Sequence, residues 1–384
     1  MERKFIETEL GRIPSDWIVT TIKDAGTAIT DGINPQKYRE SEFCEYSMPA
    51  YDCGMSPNIC KGSSMNSNRT KISGEVLLFN KLNVRQRRVW YVENAPANSV
   101  CSMEFLAYKS NVICLPLLRE ILLQDKVTND FISVSRGTSN SQKRIAPSDF
   151  WNYKVAVPAD IKEQQRIASC LSSINEMISK LTESIEKKQL IKEGLMQELL
   201  TGKKRLKGFN GEWQSVRMEE IEIKNGSMLK SSEYEPGNVP VIAGGVSAAG
   251  YHSKANRPSN TITISGSGAN AGFVNFFEEP IFASDCSTIN EQKSIYVKYL
   301  YYALLLKQPE IYKCQAGGAQ PHIHAKDIKD IVIPMPTLKD EQVAVASVLT
   351  EIDKQIIAIE SQRDKYLLIK QGMMQQLLTG KTRL

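Results

Sequence analysis

Residues 163–206 can be laid over residues 341–384 without a gap, and roughly half of the positions are identical. The match is densest where Gly194-Leu195-Met196-Gln197-Glu198-Leu199-Leu200-Thr201-Gly202-Lys203 meets Gly372-Met373-Met374-Gln375-Gln376-Leu377-Leu378-Thr379-Gly380-Lys381. The same register reaches back through Pro158 and Pro336, Asp149 and Asp327, Ile145 and Ile323, and Gln142 and Gln320. Further upstream the likeness fades and needs a gap. A tryptophan still opens both halves, in Gly11-Arg12-Ile13-Pro14-Ser15-Asp16-Trp17 and Gly208-Phe209-Asn210-Gly211-Glu212-Trp213, which makes the first variable region the longer. The chain is therefore expected to run variable domain, helix, variable domain, helix, with segments 1–158, 159–206, 207–336 and 337–384.

The repeated segments carry apolar residues at alternating steps of four and three: Ile167, Leu171, Ile174, Ile178, Leu181 and Ile185 in the first, Val345, Leu349, Ile352, Ile356 and Ile359 in the second. Each stripe needs a partner, and the other repeat is the simplest one. Antiparallel pairing would put one domain at each end of a stalk, in which about 39 residues at ~1.5 Å each give about 58 Å. Pro158 and Pro336 close strand-like runs at 153–157 and 331–333, and Gly202 and Gly380 stop the helices. Leu384 is the equivalent of Leu206, which leads directly into the next domain. Residues before Trp17 are accordingly expected beside the end of the second helix, a pseudo-cyclic arrangement.

Both variable regions read as strand-rich, with β-branched or aromatic runs at 74–79, 88–92, 261–264 and 272–277. A helix is predicted over 294–307, with a counterpart at 117–125. The fold class is α+β: two α/β domains separated by two long antiparallel coiled-coil helices, related by a pseudo-twofold internal repeat.

Composition excludes more than it selects. Hydrophobic residues at 41% and charged residues at 24% of 384 are ordinary for a globular chain, and the net charge of +5 permits an anionic partner without demanding one. No apolar run approaches the roughly 20 residues that span a bilayer, and no apolar signal core follows Met1-Glu2-Arg3-Lys4, so a cytoplasmic protein without a membrane partner is expected. The 8 cysteines contain no Cys-x-x-Cys pair and there are only 3 histidines, so zinc-ligand spacing is missing.

Catalytic motifs are missing too. Gly266-Ser267-Gly268-Ala269-Asn270-Ala271 fits a permissive dinucleotide fingerprint, with Asp285 further on, but that fingerprint needs a helix after the glycines and residues 272–277 are strand-like. A hairpin turn explains these glycines better. There is no phosphate loop of the Gly-x-x-x-x-Gly-Lys-Ser/Thr kind and no Asn/Asp-Pro-Pro-aromatic tetrapeptide, so catalysis, if any occurs, is expected to belong to a partner.

Basic and polar loop residues are the candidates for contact with DNA. In the first domain these are Lys81, Arg85, Arg87 and Arg88 on a turn between two strands, and Lys143 and Arg144 before the last strand. In the second, His252, Lys254 and Arg257, with Asn256, and then Gln320 and His322, with His324, are read as occupying analogous places.

Two variable domains, each ending in a strand, a proline and Glu-Gln before a heptad helix that finishes Leu-Leu-Thr-Gly-Lys-x-Arg-Leu, resemble the specificity subunit of type I restriction-modification systems. The likeness covers the whole chain and is most specific over 158–206 and 336–384. Gly317-Gly318-Ala319-Gln320-Pro321-His322-Ile323 is similar to the Gly-x-x-Gln-x-x-Ile element of that family's target-recognition domains, as are Gly250-Tyr251-His252 and the preceding Gly244-Gly245. The resemblance implies a non-catalytic subunit that reads a bipartite, asymmetric site in double-stranded DNA, the helix pair setting the unread spacer. It also implies two modification subunits docked on the repeated helices, with S-adenosylmethionine for adenine methylation, and restriction subunits that use ATP and Mg for cleavage. No cofactor is expected in this chain. The rival readings are a coiled-coil scaffold that does not bind DNA and an enzyme using a nucleotide at 266–271. A third is a specificity subunit of a modification-only or inactive system.

Overall fold

The two repeated segments form helices Ile161–Leu199 and Lys339–Leu377 in a computed structural model that describes residues 4–137, 142–318 and 320–384. Each helix starts just after a strand that ends in proline, Lys154–Pro158 or Val332–Pro336. Each ends where the chain turns back through a glycine with positive φ, Gly202 at +72° and Gly380 at +68°, a conformation that costs a residue with a Cβ about 1 kcal/mol or more. No helix of the described residues is long and apolar enough to cross a membrane.

The chain divides into two units, Met1–Lys180 with Asp364–Leu384, and Leu181–Arg363. The division falls inside both long helices, so each unit holds one strand-rich domain and a stretch of each helix.

In the first unit the long hairpin of Arg69–Asn80 and Val89–Ser102 is the spine of a mainly antiparallel seven-stranded sheet. Glu42–Tyr46 joins it in parallel and Phe105–Ser110 antiparallel. Side chains of a strand alternate between faces. Leu77 and Phe79 accordingly face helices Leu115–Leu122 and Asp125–Val134, while Val76 and Leu78 pack with Tyr46 and Trp90 on the other side. The strand predicted over 74–79 thus exists within a longer one, and the helix predicted over 117–125 is two helices. A separate pair, Trp17–Thr21 with Lys154–Pro158, joins the beginning of the domain to its end.

The second unit repeats the plan with a smaller sheet. Cys286–Ile289 and Val274–Phe277 flank Thr261–Ser265, a three-stranded sheet is built on Val239–Ile242, and Trp213–Arg217 pairs with Val332–Pro336. Helix Val297–Leu306 lies within the predicted 294–307, and its Tyr299, Leu300, Tyr302 and Leu304 fill the core. Residues Val274–Phe277 form a strand, so the helix a dinucleotide fingerprint requires does not follow Gly266–Ala271.

The heptad stripes serve two purposes. Ile167 and Leu171 are buried against Leu115, Leu118 and Phe150 of the preceding domain, together with Leu377 from the end of the other helix. Val345 and Leu349 are buried in the same way beside Tyr299 and Leu304, with Met196, Leu199 and Leu200. Burying one such leucine contributes about 2 kcal/mol. Further along, Ile174, Ile178, Leu181, Ile352 and Ile359 are only half-buried, whereas Ile185 and Ile356 are buried. The stripes are thus not a seam between helices alone, because their first turns are a wall of the domain core.

Polar contacts close each unit. Gln164, fully buried, donates to the carbonyls of Val112 (3.0 Å) and Pro158 (2.8 Å) and accepts from the Cys114 amide (2.8 Å). Gln342 does the same with Ser294 (3.0 Å), Pro336 (2.9 Å) and Tyr296 (2.7 Å). Beside them, Arg205 forks onto buried Glu341 at 2.5 and 2.7 Å, and Arg383 onto buried Glu163 at 3.0 and 2.7 Å. Arg383 also pairs with Asp16, and a Cβ on Gly380 would lie 2.3 Å from Pro14. The entrance to the first domain therefore lies against the end of the second helix, as the order of parts requires.

Replacing Arg205 with alanine leaves Glu341, at 1% side-chain exposure, without its guanidinium. The expected cost is about 3 kcal/mol. Arg217→Ala, which removes surface pairs at 3.6 and 3.7 Å, should cost less than about 1 kcal/mol. Chemical denaturation of the two variants checks this, and equal effects would show that the buried pair does not close the unit.

Candidate nucleic-acid interface

Strand Arg69–Asn80 runs into a tight loop at 81–88 that contains a single 3-10 turn, Val84–Gln86, between two non-glycine residues in the left-handed region, Asn83 at φ 50° and Arg87 at φ 48°. Each such residue costs on the order of 1 kcal/mol, so the surroundings must hold the loop. Buried Val84 pins it from below. Backbone bonds pin it from the side: Asn83 N–H to Lys143 O (2.7 Å), Ile145 N–H to Lys81 O (3.1 Å), and a reciprocal pair between Arg136 and Arg144 (2.8 Å each). Leu82 and Arg144 form an isolated bridge, as do Arg136 and Arg144. Two loops far apart in sequence are thus laid side by side at one edge of the domain.

The second unit contains the same construction. Gly268 N–H bonds to Pro321 O (2.9 Å) and Ile323 N–H to Gly266 O (2.9 Å), while Ala316 and His322 exchange bonds at 3.0 and 2.9 Å. Ser267 bridges His322, and Ala316 bridges His322. In the repeat register, Arg144 falls on His322 and Ile145 on Ile323. The counterpart of loop 81–88 is therefore the glycine turn that begins at Gly266, with Gly268 at φ +80°. Gly137 (φ +145°) and Gly317 (φ +89°) open the opposing loops, and a Cβ at either would fall within about 3 Å of loop backbone, 3.0 Å from Lys143 Cα or 2.9 Å from Gln320 O.

The first edge is cationic, with uneven availability among its charges. Arg85 and Arg136 are exposed and Lys143 half-buried, with no side-chain partner among the described residues. Lys81 donates to Met103 O (2.9 Å). Arg87 pairs with Asp125 (2.6 Å), Arg88 forks onto Asp52 (2.8 and 2.7 Å), and Arg144 forks onto Glu104 (3.2 and 3.0 Å). The Arg88 fork holds the Asp52 carboxyl below its ordinary range, and the Glu104 carboxylate raises the guanidinium pKa of Arg144. These three arginines have their charge already matched.

The second edge is polar and mostly uncharged. Gln320 and His322 are exposed on it, with the His324 ring 5.6 Å from that of His322. Ser267 donates to Asp285. Four of the expected contacts lie elsewhere. His252, 7% exposed, accepts from the Glu235 amide (3.0 Å) and packs edge-on against Phe282. Arg257 is held by Thr288 Oγ1 (2.7 Å), Asn256 O (2.8 Å) and Asn225 O (2.6 Å). Lys254 is exposed beside Glu235, 3.9 Å away, and Asn256 bonds both ways with Ala283. The segment 252–257 is therefore not the analogue of loop 81–88, and His252 and Arg257 are occupied inside the fold. Arg136, Ser267 and Asn270, which the sequence reading left out, belong to the paired loops. The glycine and glutamine shared by Gly137…Gln142 and Gly317…Gln320 are the signal that marks them. Ala319 lies outside the described residues.

Both helices expose apolar pairs at matched positions: Leu190 (67%) and Ile191 (56%) on the first, Leu368 (70%) and Ile369 (40%) on the second. Among the described residues no cluster of His, Cys, Asp and Glu could hold a metal ion.

A family model described as the type I restriction modification DNA specificity domain matches residues 210–368. The putative type I restriction enzyme MjaX specificity subunit of Methanocaldococcus jannaschii is 24% identical over 100% of this chain and 97% of its own length. A putative type I specificity subunit of Mycoplasma genitalium is 23% identical over 64% of this chain and 66% of its own. In fold, the crystal structure of a type I restriction-modification S subunit from M. genitalium matches with a TM-score of 0.69 at 18% identity, covering 98% of this chain and 99% of that one. Repeat and relatives agree: residues 210–368 match the specificity domain, and the whole chain is similar to specificity subunits of type I restriction-modification systems.

Proposed function

We propose that this chain is a type I specificity subunit that reads a bipartite, asymmetric site in double-stranded DNA, one half with each domain, and is itself non-catalytic. The observation that most supports this reading is the loop pair that each unit builds from the same backbone bonds and fills with different side chains. Loops held by backbone bonds fix where side chains meet a groove without dictating which side chains they are. In the first domain Arg85, Arg136 and Lys143 reach base edges or phosphates, with Lys81, Arg87, Arg88 and Arg144 flanking them. In the second, Asn270, Gln320 and His322 supply neutral donors and acceptors. Lys254 is a peripheral phosphate contact.

Modification of adenine and cleavage fall to partners in this proposal: two modification subunits with S-adenosylmethionine, and restriction subunits with ATP and Mg. The matched pairs Leu190/Ile191 and Leu368/Ile369 are the docking points for the two modification subunits. Exposed leucine and isoleucine at repeat-equivalent positions are what two copies of one partner would cover.

Sequencing of methylated bases in cells carrying this subunit and its modification partner should give a two-part motif with unlike halves. A continuous palindrome would defeat the proposal, and absence of any sequence preference would favour the scaffold reading. Arg85→Ala with Arg136→Ala should weaken binding by about 1–3 kcal/mol per lost base contact and relax one half of the motif only. Unchanged selectivity at both halves would remove these residues from the reading face. Leu190→Asp with Ile191→Asp should lose one of two bound modification subunits at an unchanged melting temperature, measured by analytical ultracentrifugation. Retention of both would place the docking face elsewhere.

A further inference from the structure

The backbone bonds that build the paired loops also set the two units in register residue by residue. Lys81 N–H bonds to Glu104 O and Gly266 N–H to Asp285 O, at 3.0 Å each. Asn80 N–H bonds to Arg88 O as Ser265 N–H does to Phe273 O, and Gln86 N–H to Asn83 O as Ala271 N–H does to Gly268 O, again at 3.0 Å each. Lys81 therefore corresponds to Gly266, Arg85 to Asn270, Lys143 to Pro321 and Arg144 to His322. The cations of the first edge are exchanged in the second for residues without a fixed positive charge. The acid is kept, because Glu104 corresponds to Asp285.

The two acids differ in what surrounds them. Glu104 is matched by the Arg144 fork at 3.2 and 3.0 Å. Asp285 is half-buried, accepts from the Ser267 hydroxyl through Oδ2, and makes no ion pair among the described residues. Its Oδ1 has no hydrogen-bond partner among them and is not sealed in the core. A Cβ at residue 266 would come within 2.6 Å of that oxygen, so the glycine there makes room for the carboxylate at the start of the turn. An unmatched carboxylate on an edge that meets a polyanion lowers affinity for DNA of any sequence. It does select among bases. A carboxylate accepts from the exocyclic amino groups of cytosine and adenine and is repelled by the keto oxygens of guanine and thymine.

We infer that Asp285 is a specificity-determining residue of the second domain, accepting through Oδ1 from the exocyclic amino group of one base in the second half-site. Ser267 holds the other oxygen and so orients the carboxylate. The inference rests on the reading of the paired loops as the DNA face.

The test uses the chain assembled with its modification partner and duplexes carrying the methylated motif. Each adenine or cytosine of the second half is replaced in turn by purine or 2-pyrimidinone, which lack the amino group, and Kd is read by fluorescence anisotropy. One replacement should weaken wild-type binding about tenfold and leave binding by Asp285→Asn unchanged. A duplex without the motif should bind Asp285→Asn more tightly than wild type, whereas loss of a merely structural residue would not raise affinity. Asp285→Ser repeats both measurements should the asparagine variant fail to fold. Failure of the wild type to prefer any motif would defeat the reading of the loops, and the inference with it. With a motif present, a second half insensitive to every replacement, or equal sensitivity in wild type and variant, would overturn the inference alone.

Discussion

A single buried amide at the start of each long helix organises its unit. Gln164 and Gln342 each satisfy three backbone groups that belong to two different parts of the chain, the strand before the helix and the turn into the domain's own helix. Those carbonyls and amides cannot reach water, so each would be orphaned at a cost of about 1–3 kcal/mol if the glutamine moved. The helix start is therefore fixed to the domain in register. That in turn sets Ile167 and Leu171, or Val345 and Leu349, one and two turns on, into the core. The neighbouring glutamate then receives an arginine from the end of the other repeat, so each unit is completed by residues far away in sequence.

This dependence explains which parts of the fold were legible. The repeat could be read directly because Glu-Gln, the helix stripe and the terminal Gly-Lys-x-Arg-Leu all take part in the same buried contacts, so both copies need the same side chains. The stripe was legible as a helix, but its division of labour was not. Periodicity places Ile167 and Ile174 on one face without revealing that a domain core covers the first and leaves the second half exposed. The helices Leu115–Leu122 and Asp125–Val134 were similarly merged, because the break at residues 123–124 carries neither glycine nor proline.

The candidate site was less legible for a related reason. What makes loop 81–88 and the turn at Gly266 counterparts is a set of backbone bonds, which leave little trace in side-chain identity beyond the shared glycine and glutamine of the opposing loops. The basic residues at 81–88 and 143–144 were visible as charge, yet the carboxylates that neutralise three of them, Asp52, Asp125 and Glu104, lie 36 to 40 positions away for Arg88 and Arg144 and on another helix for Arg87. In the second domain, polar residues at 252–257 looked like a reading loop when His252 and Arg257 were in fact tying strands together.

The paired arginines still bear on how the first edge meets an anion. An arginine that is free in solution must lose its rotamer entropy on binding, whereas Arg88 and Arg144 are already held as forks by carboxylates. To engage a phosphate fully, either would have to leave its carboxylate partner unmatched, and Asp52 and Glu104 would then face the same anion. Arg85, Arg136 and Lys143 carry no such penalty. The net attraction of that edge therefore rests on four side chains, these three and Lys81, whose bond to Met103 O leaves its charge unmatched, rather than on the seven that a count of charges would suggest, and the flanking forks act as rigid borders that define where those four can reach.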